Sequence, residues 1–129
     1  MRKYILFISA ILTFTACQQS LEERAAEEAK TYTRKNCPMI LDNKMIMDSM
    51  TFDKASHTFS YYYTFTGVMD DENVMRPEAM REELVNGIKN MTEARAYMDE
   101  GYAFQYVYRS QKSPEKILFE TLITEKDYK

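Results

Sequence analysis

Tryptophan is absent from this chain of 129 residues, histidine occurs once and cysteine twice. Glycine is limited to Gly67, Gly87 and Gly101, and proline to Pro38, Pro77 and Pro114. Each shortage excludes something. One imidazole, two thiols and scattered carboxylates do not make up a zinc-ligand set. Three isolated glycines cannot form a phosphate-cradling loop. No run of Lys and Arg occurs, and a net charge of −3 argues against nucleic acid and against electrostatic docking on anionic lipid. The single pairing of thiol and imidazole, Cys37 with His57, is a poor nucleophile and base. Cys37 precedes a proline at the end of a helical pattern, where the helix dipole raises a thiol's pKa. Asp70-Asp71-Glu72 with Asn73 matches no calcium-loop spacing and reads as a solvated acidic turn. Glu22, Glu23, Glu27 and Glu28, interleaved with Arg24 and Lys30, read as the solvated face of a helix. No catalytic residue, cofactor or metal is expected.

What the chain does have begins at its N-terminus. Arg2 and Lys3 form a short positive start, Tyr4 to Ala16 carry no charge, and small Thr15 and Ala16 lead into Cys17. A charged start, an apolar run too short to span a bilayer comfortably and a small-residue exit describe a secretory signal peptide. The cysteine directly after the small residues resembles the lipobox of bacterial lipoproteins, with Phe14 where that family usually has an aliphatic residue. In that family the thiol is diacylglycerated, the leader is cut just before it, and the new amino terminus is acylated. The resemblance implies lipidation of Cys17 and anchoring of the protein in the cell envelope by several acyl chains. Aspartate after the cysteine retains such proteins on the inner membrane. Gln18 stands there instead, which implies the outer membrane. The alternative is an uncleaved apolar helix serving as the anchor.

Three segments follow: residues 1–16 as leader, 17–19 as lipidated cysteine and tether, and 20–129 as one domain. Removing 16 of 129 residues leaves 113, enough for one modest core. With Cys17 acylated, Cys37 has no partner for a disulfide, so stability must come from packing.

Ser20 and Glu23 form a capping-box pattern, and Pro38 forbids continuation, which predicts a helix over 20–35. Residues 44–52 read as a strand interrupted at Asp48. His57–Thr66 is the clearest strand, with Phe59, Tyr61, Tyr63 and Phe65 alternating with Thr58, Ser60, Tyr62 and Thr64. Pro77 opens a second helix whose Met80, Leu84, Ile88 and Met91 share a face. Thr92 and Glu93 restart a short turn that Gly101 ends. Tyr102, Phe104, Tyr106 and Tyr108 alternate in a third strand. Ile117, Phe119 and Ile123 alternate with Leu118, Glu120 and Leu122 in a fourth, followed by a polar tail. The expected class is α+β: two helix-strand-strand units form one four-stranded antiparallel sheet, with both helices on one face.

The last two strands carry apolar residues on both sides, so the second sheet face is a candidate partner surface. Tyr62, Tyr102, Tyr106 and Tyr108 are the residues expected to line it, since tyrosine offers large contact area at small entropic cost. The tandem architecture is similar to that of the beta-lactamase inhibitor protein, which implies a non-enzymatic module binding a protein or peptide. The other readings are a structural or assembly subunit of an envelope complex, and a small-ligand carrier or enzyme. Asp48-Ser49-Met50 resembles the short O-glycosylation motif of exported Bacteroidetes proteins, which implies a glycan on Ser49.

Overall fold

The computed structural model describes residues 19–129. The expected leader, the lipidation of Cys17 and the role of Gln18 lie outside the described residues. Helix α1 (Leu21–Asn36) starts at the capping box anticipated above: the Glu23 amide donates to Ser20 Oγ at 3.1 Å, and the Ser20 amide donates to Glu23 Oε1 at 3.2 Å. Glu22 and Glu23 sit at its positive end, with Arg34 and Lys35 at the negative one. After the cis Cys37–Pro38 peptide comes a three-residue strand, β1 (Met39–Leu41), which hydrophobic alternation could not signal at that length. Asp42 and Asn43, both at positive φ, turn the chain into β2 (Met45–Asp53).

Strand β2 pairs with β3 (Thr58–Phe65), and the register shifts between Met47 and Ser49. Asp48, the residue that breaks the alternation, is thus the extra residue of a bulge. Its carboxylate accepts a 2.7 Å hydrogen bond from Thr64 Oγ1. The chain then leaves the sheet through two short 3₁₀ turns, α2 (Pro77–Lys89), a third 3₁₀ turn and α3 (Arg95–Asp99). It returns as β4 (Ala103–Ser110) and β5 (Ile117–Ile123).

The α+β class and the layering stand, with two refinements. The sheet has five strands in the order β1-β2-β3-β4-β5, and its central pair, β3 with β4, is parallel. A helical crossover carries the chain from the end of β3 back to the end where β3 began, which imposes parallel pairing. The tail expected to be only polar also folds. Thr124 and Asp127 form a second capping box, and α4 (Glu125–Tyr128) lets the Tyr128 hydroxyl donate to the Tyr102 carbonyl at 2.6 Å.

One face of the sheet carries Phe59, Tyr61, Phe65, Phe104, Tyr106, Tyr108, Phe119 and Ile123. All are buried in a single core with Ala25 of α1, Ile88 of α2, and Tyr97 and Met98 of α3. Helix α1 lies over β2, and α2 lies against β5 and α4. Phe104, Ile88 and Ile123 are almost wholly enclosed. Truncating any of them to alanine removes about 2–5 kcal/mol of stability through lost burial and the cavity left behind.

Two glycines test the packing in opposite directions. A Cβ on Gly87, within α2, meets nothing within 4 Å, so no close packing requires glycine there. Gly87→Ala should raise stability by about 0.5–1 kcal/mol through helix propensity. At Gly101, φ is +77° and a Cβ would lie 2.6 Å from Glu125 Oε2. Gly101→Ala should therefore lower stability by about 1–2 kcal/mol. Thermal denaturation of the two variants checks both signs.

Candidate functional site

Of the four tyrosines expected on an open surface, only Tyr62 is there. Tyr102, Tyr106 and Tyr108 are 3%, 6% and 6% exposed and belong to the core. The reason is register. Phe59, Tyr61 and Tyr63 pair with Phe104, Tyr106 and Tyr108, so alternate aromatics of β3 and β4 face the helices together. Their rings stack across the strands, with centroids 4.7 Å apart for Tyr61–Tyr106 and 4.8 Å for Tyr63–Tyr108. Tyr102, just before β4, is stacked between His57 and Tyr97 at 4.5 and 5.5 Å.

The opposite face is therefore built from the alternate residues: Ser60, Tyr62 and Thr64 of β3, and Gln105, Val107 and Arg109 of β4. It is largely uncharged and hydroxyl-rich. Ser49 joins it beside Tyr62, half-buried next to the bulged Asp48. At its far edge a second register shift, between Tyr108 and Arg109, pairs Arg109 with Ile117. Ile117 thus turns outward while Leu118 packs against the core, the reverse of the expected alternation. Ile117, Glu120 and Leu122 are exposed residues of this rim that the tyrosine-based reading missed. The apolar residues on the second side of the last strand were the available signal.

The structure keeps Cys37 and His57 apart. The Cys37 thiol is half-buried near Asp48, and burial, followed by that carboxylate, pushes its pKa up, away from a nucleophile. His57 stands at the other end of β3. There its Nε2 lies 2.5 Å from Glu22 Oε2, tying the first turn of α1 to the β2–β3 turn. The acidic turn is structural as well. Asp70 is 5% exposed and accepts from the Lys112 amide at 2.9 Å, and a hydrogen bond from Ser110 is the main cause of its lowered pKa. Among the described residues, no group of three or more His, Cys, Asp or Glu side chains could hold a metal ion. No described helix is long and apolar enough to cross a membrane. Open clefts follow the surface, such as one of about 380 Å³ along α2 lined by Glu78, Arg81, Glu82 and Val85.

The sheet is backed by helices on one side, and at the centre of the other Ser60 and Val107 are only 8% and 5% exposed. The family described as a domain of unknown function (DUF8479) matches residues 20–119. The chain belongs to that family. No curated protein matches it in sequence. Among solved structures, the DUF8479 domain is similar to a protein from Pseudomonas aeruginosa described as secreted. That pair is 10% identical, with a TM-score of 0.68 over 87% of this chain and 100% of the other. It is also similar to two pilotins of type II secretion systems. AspS of Vibrio cholerae is 15% identical, with a TM-score of 0.61 over 82% of this chain and 90% of that one. EpsS of Vibrio vulnificus is 12% identical, with a TM-score of 0.65 over 84% and 91%. At these identities the likeness is one of fold.

Burial also sets the chemistry of the core tyrosines. Desolvation, followed by neighbouring Tyr32 and Cys37, raises the pKa of Tyr63 to about 12, and desolvation raises Tyr61, Tyr106 and Tyr108 further. A folded pKa above the unfolded value of about 10 favours the folded state below pH 10. That contribution is lost as pH rises from about 10 toward and beyond 12. Alkaline titration followed by tyrosinate absorbance and by circular dichroism should show these rings ionising together with unfolding.

Proposed function

We propose that this protein is a lipid-anchored, non-enzymatic component of the bacterial cell envelope, which binds a protein partner as an accessory subunit in the assembly of an envelope complex. The observation that carries the reading is the joining of a lipobox-type leader to a fold shared with two pilotins of type II secretion systems. The short tether adds a physical reason. Residues 17–19 span about 10 Å when extended, which would hold the domain close to the membrane surface. The inhibitor-like alternative relied on an aromatic sheet face, and three of its four tyrosines, Tyr102, Tyr106 and Tyr108, are in the core. An assembly role is therefore preferred.

Outer-membrane delivery, with Gln18 after the lipidated cysteine, is part of the same proposal. Its test is direct. Mass spectrometry of the mature protein should find Cys17 as the acylated first residue, and Cys17→Ser should abolish the acylation and leave residues 1–16 uncut. Affinity purification of the lipidated protein from detergent-solubilised envelopes should retain subunits of one membrane complex. An unmodified thiol, or a protein that purifies alone, would overturn the reading.

A further inference from the structure

The two edges of the sheet are finished differently. On the β2 side, β1 covers Met45–Met47. Past the bulge, the Thr33 hydroxyl of α1 donates to the Met50 carbonyl and accepts from the Met50 amide, each at 2.9 Å. One side chain thus takes up both ladder groups there. On the opposite side no strand among the described residues lies beyond β5. The direction of its main-chain groups follows from its neighbour. The Ala103 amide donates to the His57 carbonyl and the Gln111 amide to the Phe65 carbonyl, so odd-numbered positions of β4 face β3. The Ser110 amide donates to the Lys116 carbonyl, so even-numbered ones face β5. Phe104, Tyr106 and Tyr108 pair with Ile123, Thr121 and Phe119, so those three residues bond inward. Glu120 and Leu122 must then turn their amides and carbonyls to the free edge.

Arg81 of α2 occupies the Leu122 carbonyl, donating from Nη2 at 3.2 Å, and is itself tied to Asp127 at 3.0 Å. The Glu120 amide and carbonyl and the Leu122 amide have no partner among the described residues. Two of the five exposed large hydrophobic residues among those described, Ile117 at 40% and Leu122 at 48%, flank Glu120 on this strand. Glu120 forms no ion pair among the described residues, and Glu78 and Glu82 line the cleft that shares Arg81 with this edge. The rim is apolar-acidic-apolar.

We infer that the free edge of β5 accepts an extended segment of a partner protein as a sixth strand, a segment carrying one basic residue between two apolar residues at alternate positions. Main-chain bonds to Glu120 and Leu122 would supply binding, and the alternate side chains would set its specificity. The basic residue lies beside Glu120 and the apolar ones beside Ile117 and Leu122, the cross-strand pairing that favours opposite charges. A second copy fits less well, because two β5 strands would bring two acidic rims together. The inference rests on the reading above, that the chain binds a protein.

The probe is a synthetic peptide of about seven residues, valine and threonine with a central lysine, titrated into the full-length protein in detergent micelles. Replacing the lysine by glutamate, or methylating alternate amide nitrogens, should weaken binding about tenfold or more. Glu120→Lys should reverse the charge preference. Leu122→Pro removes an outward amide and an exposed apolar side chain at an edge position where proline is tolerated, and should abolish binding while melting like the wild type, whereas Leu122→Ala, which keeps the amide, should only weaken it. Unchanged binding in Leu122→Pro, equal binding of the lysine and glutamate peptides, or no binding of any peptide would overturn the inference. So would a concentration-dependent dimer that Leu122→Pro dissolves, which would assign the edge to a second copy. If Leu122→Pro still purifies with the envelope complex, the edge is wrong and the assembly reading stands.

Discussion

Everything in this fold depends on the in-register stacking of aromatic rings across the parallel β3–β4 pair. Phe59 lies over Phe104, Tyr61 over Tyr106 and Tyr63 over Tyr108, with centroids 5.8, 4.7 and 4.8 Å apart. Parallel pairing places equivalent positions side by side, so a run of alternating aromatics on each strand becomes one continuous layer. Such pairs contribute about 0.5–1.5 kcal/mol each beyond the burial of their area. A register shift of one residue would turn the whole layer to solvent. The layer stands in for the disulfide that a domain with one free cysteine does not have.

The helices take their positions from this layer. Ala25 and Ala29 are the buried residues of α1, small enough for that helix to settle close over β2. The crossover through α2 and α3 brings Ile88, Ala94, Tyr97 and Met98 onto the same rings. The end of the molecule where α1 begins is held by side chains of differing origin. Glu22 of α1 meets His57 of the β2–β3 turn, His57 stacks on Tyr102, and Tyr128 of α4 bonds the Tyr102 carbonyl. With all the sheet aromatics but Tyr62 committed to one face, the other is left to hydroxyls, Gln105, Val107 and a few charges. Its recognition capacity is therefore concentrated at its rim.

Much of this was legible residue by residue. The Ser20–Glu23 box, the proline at the start of α2 and the period-two aromatics each act through neighbours close in sequence, and each formed as expected. What failed were inferences about which side of a strand is inside. Tyr102, Tyr106 and Tyr108 were read as a binding surface because tyrosine offers large contact area at small entropic cost, yet pairing with β3 buries them. Ile117 and Leu118 exchanged sides because a bulge inserts one residue. The parallel pairing of β3 and β4 depends on where a crossover of many residues returns the chain, which no local pattern encodes.

By itself the sequence determined the elements, their caps and the alternation that makes one side of each strand aromatic, because those depend on contacts a few residues apart. Only the tertiary structure decided which face those rings cover and which edge of the sheet is stopped. It also decided that Glu120, with Ile117 and Leu122 on either side, stands at the edge left open. Those outcomes depend on register between distant strands and on single side chains, Thr33 and Arg81, reaching backbone groups 17 and 41 residues away.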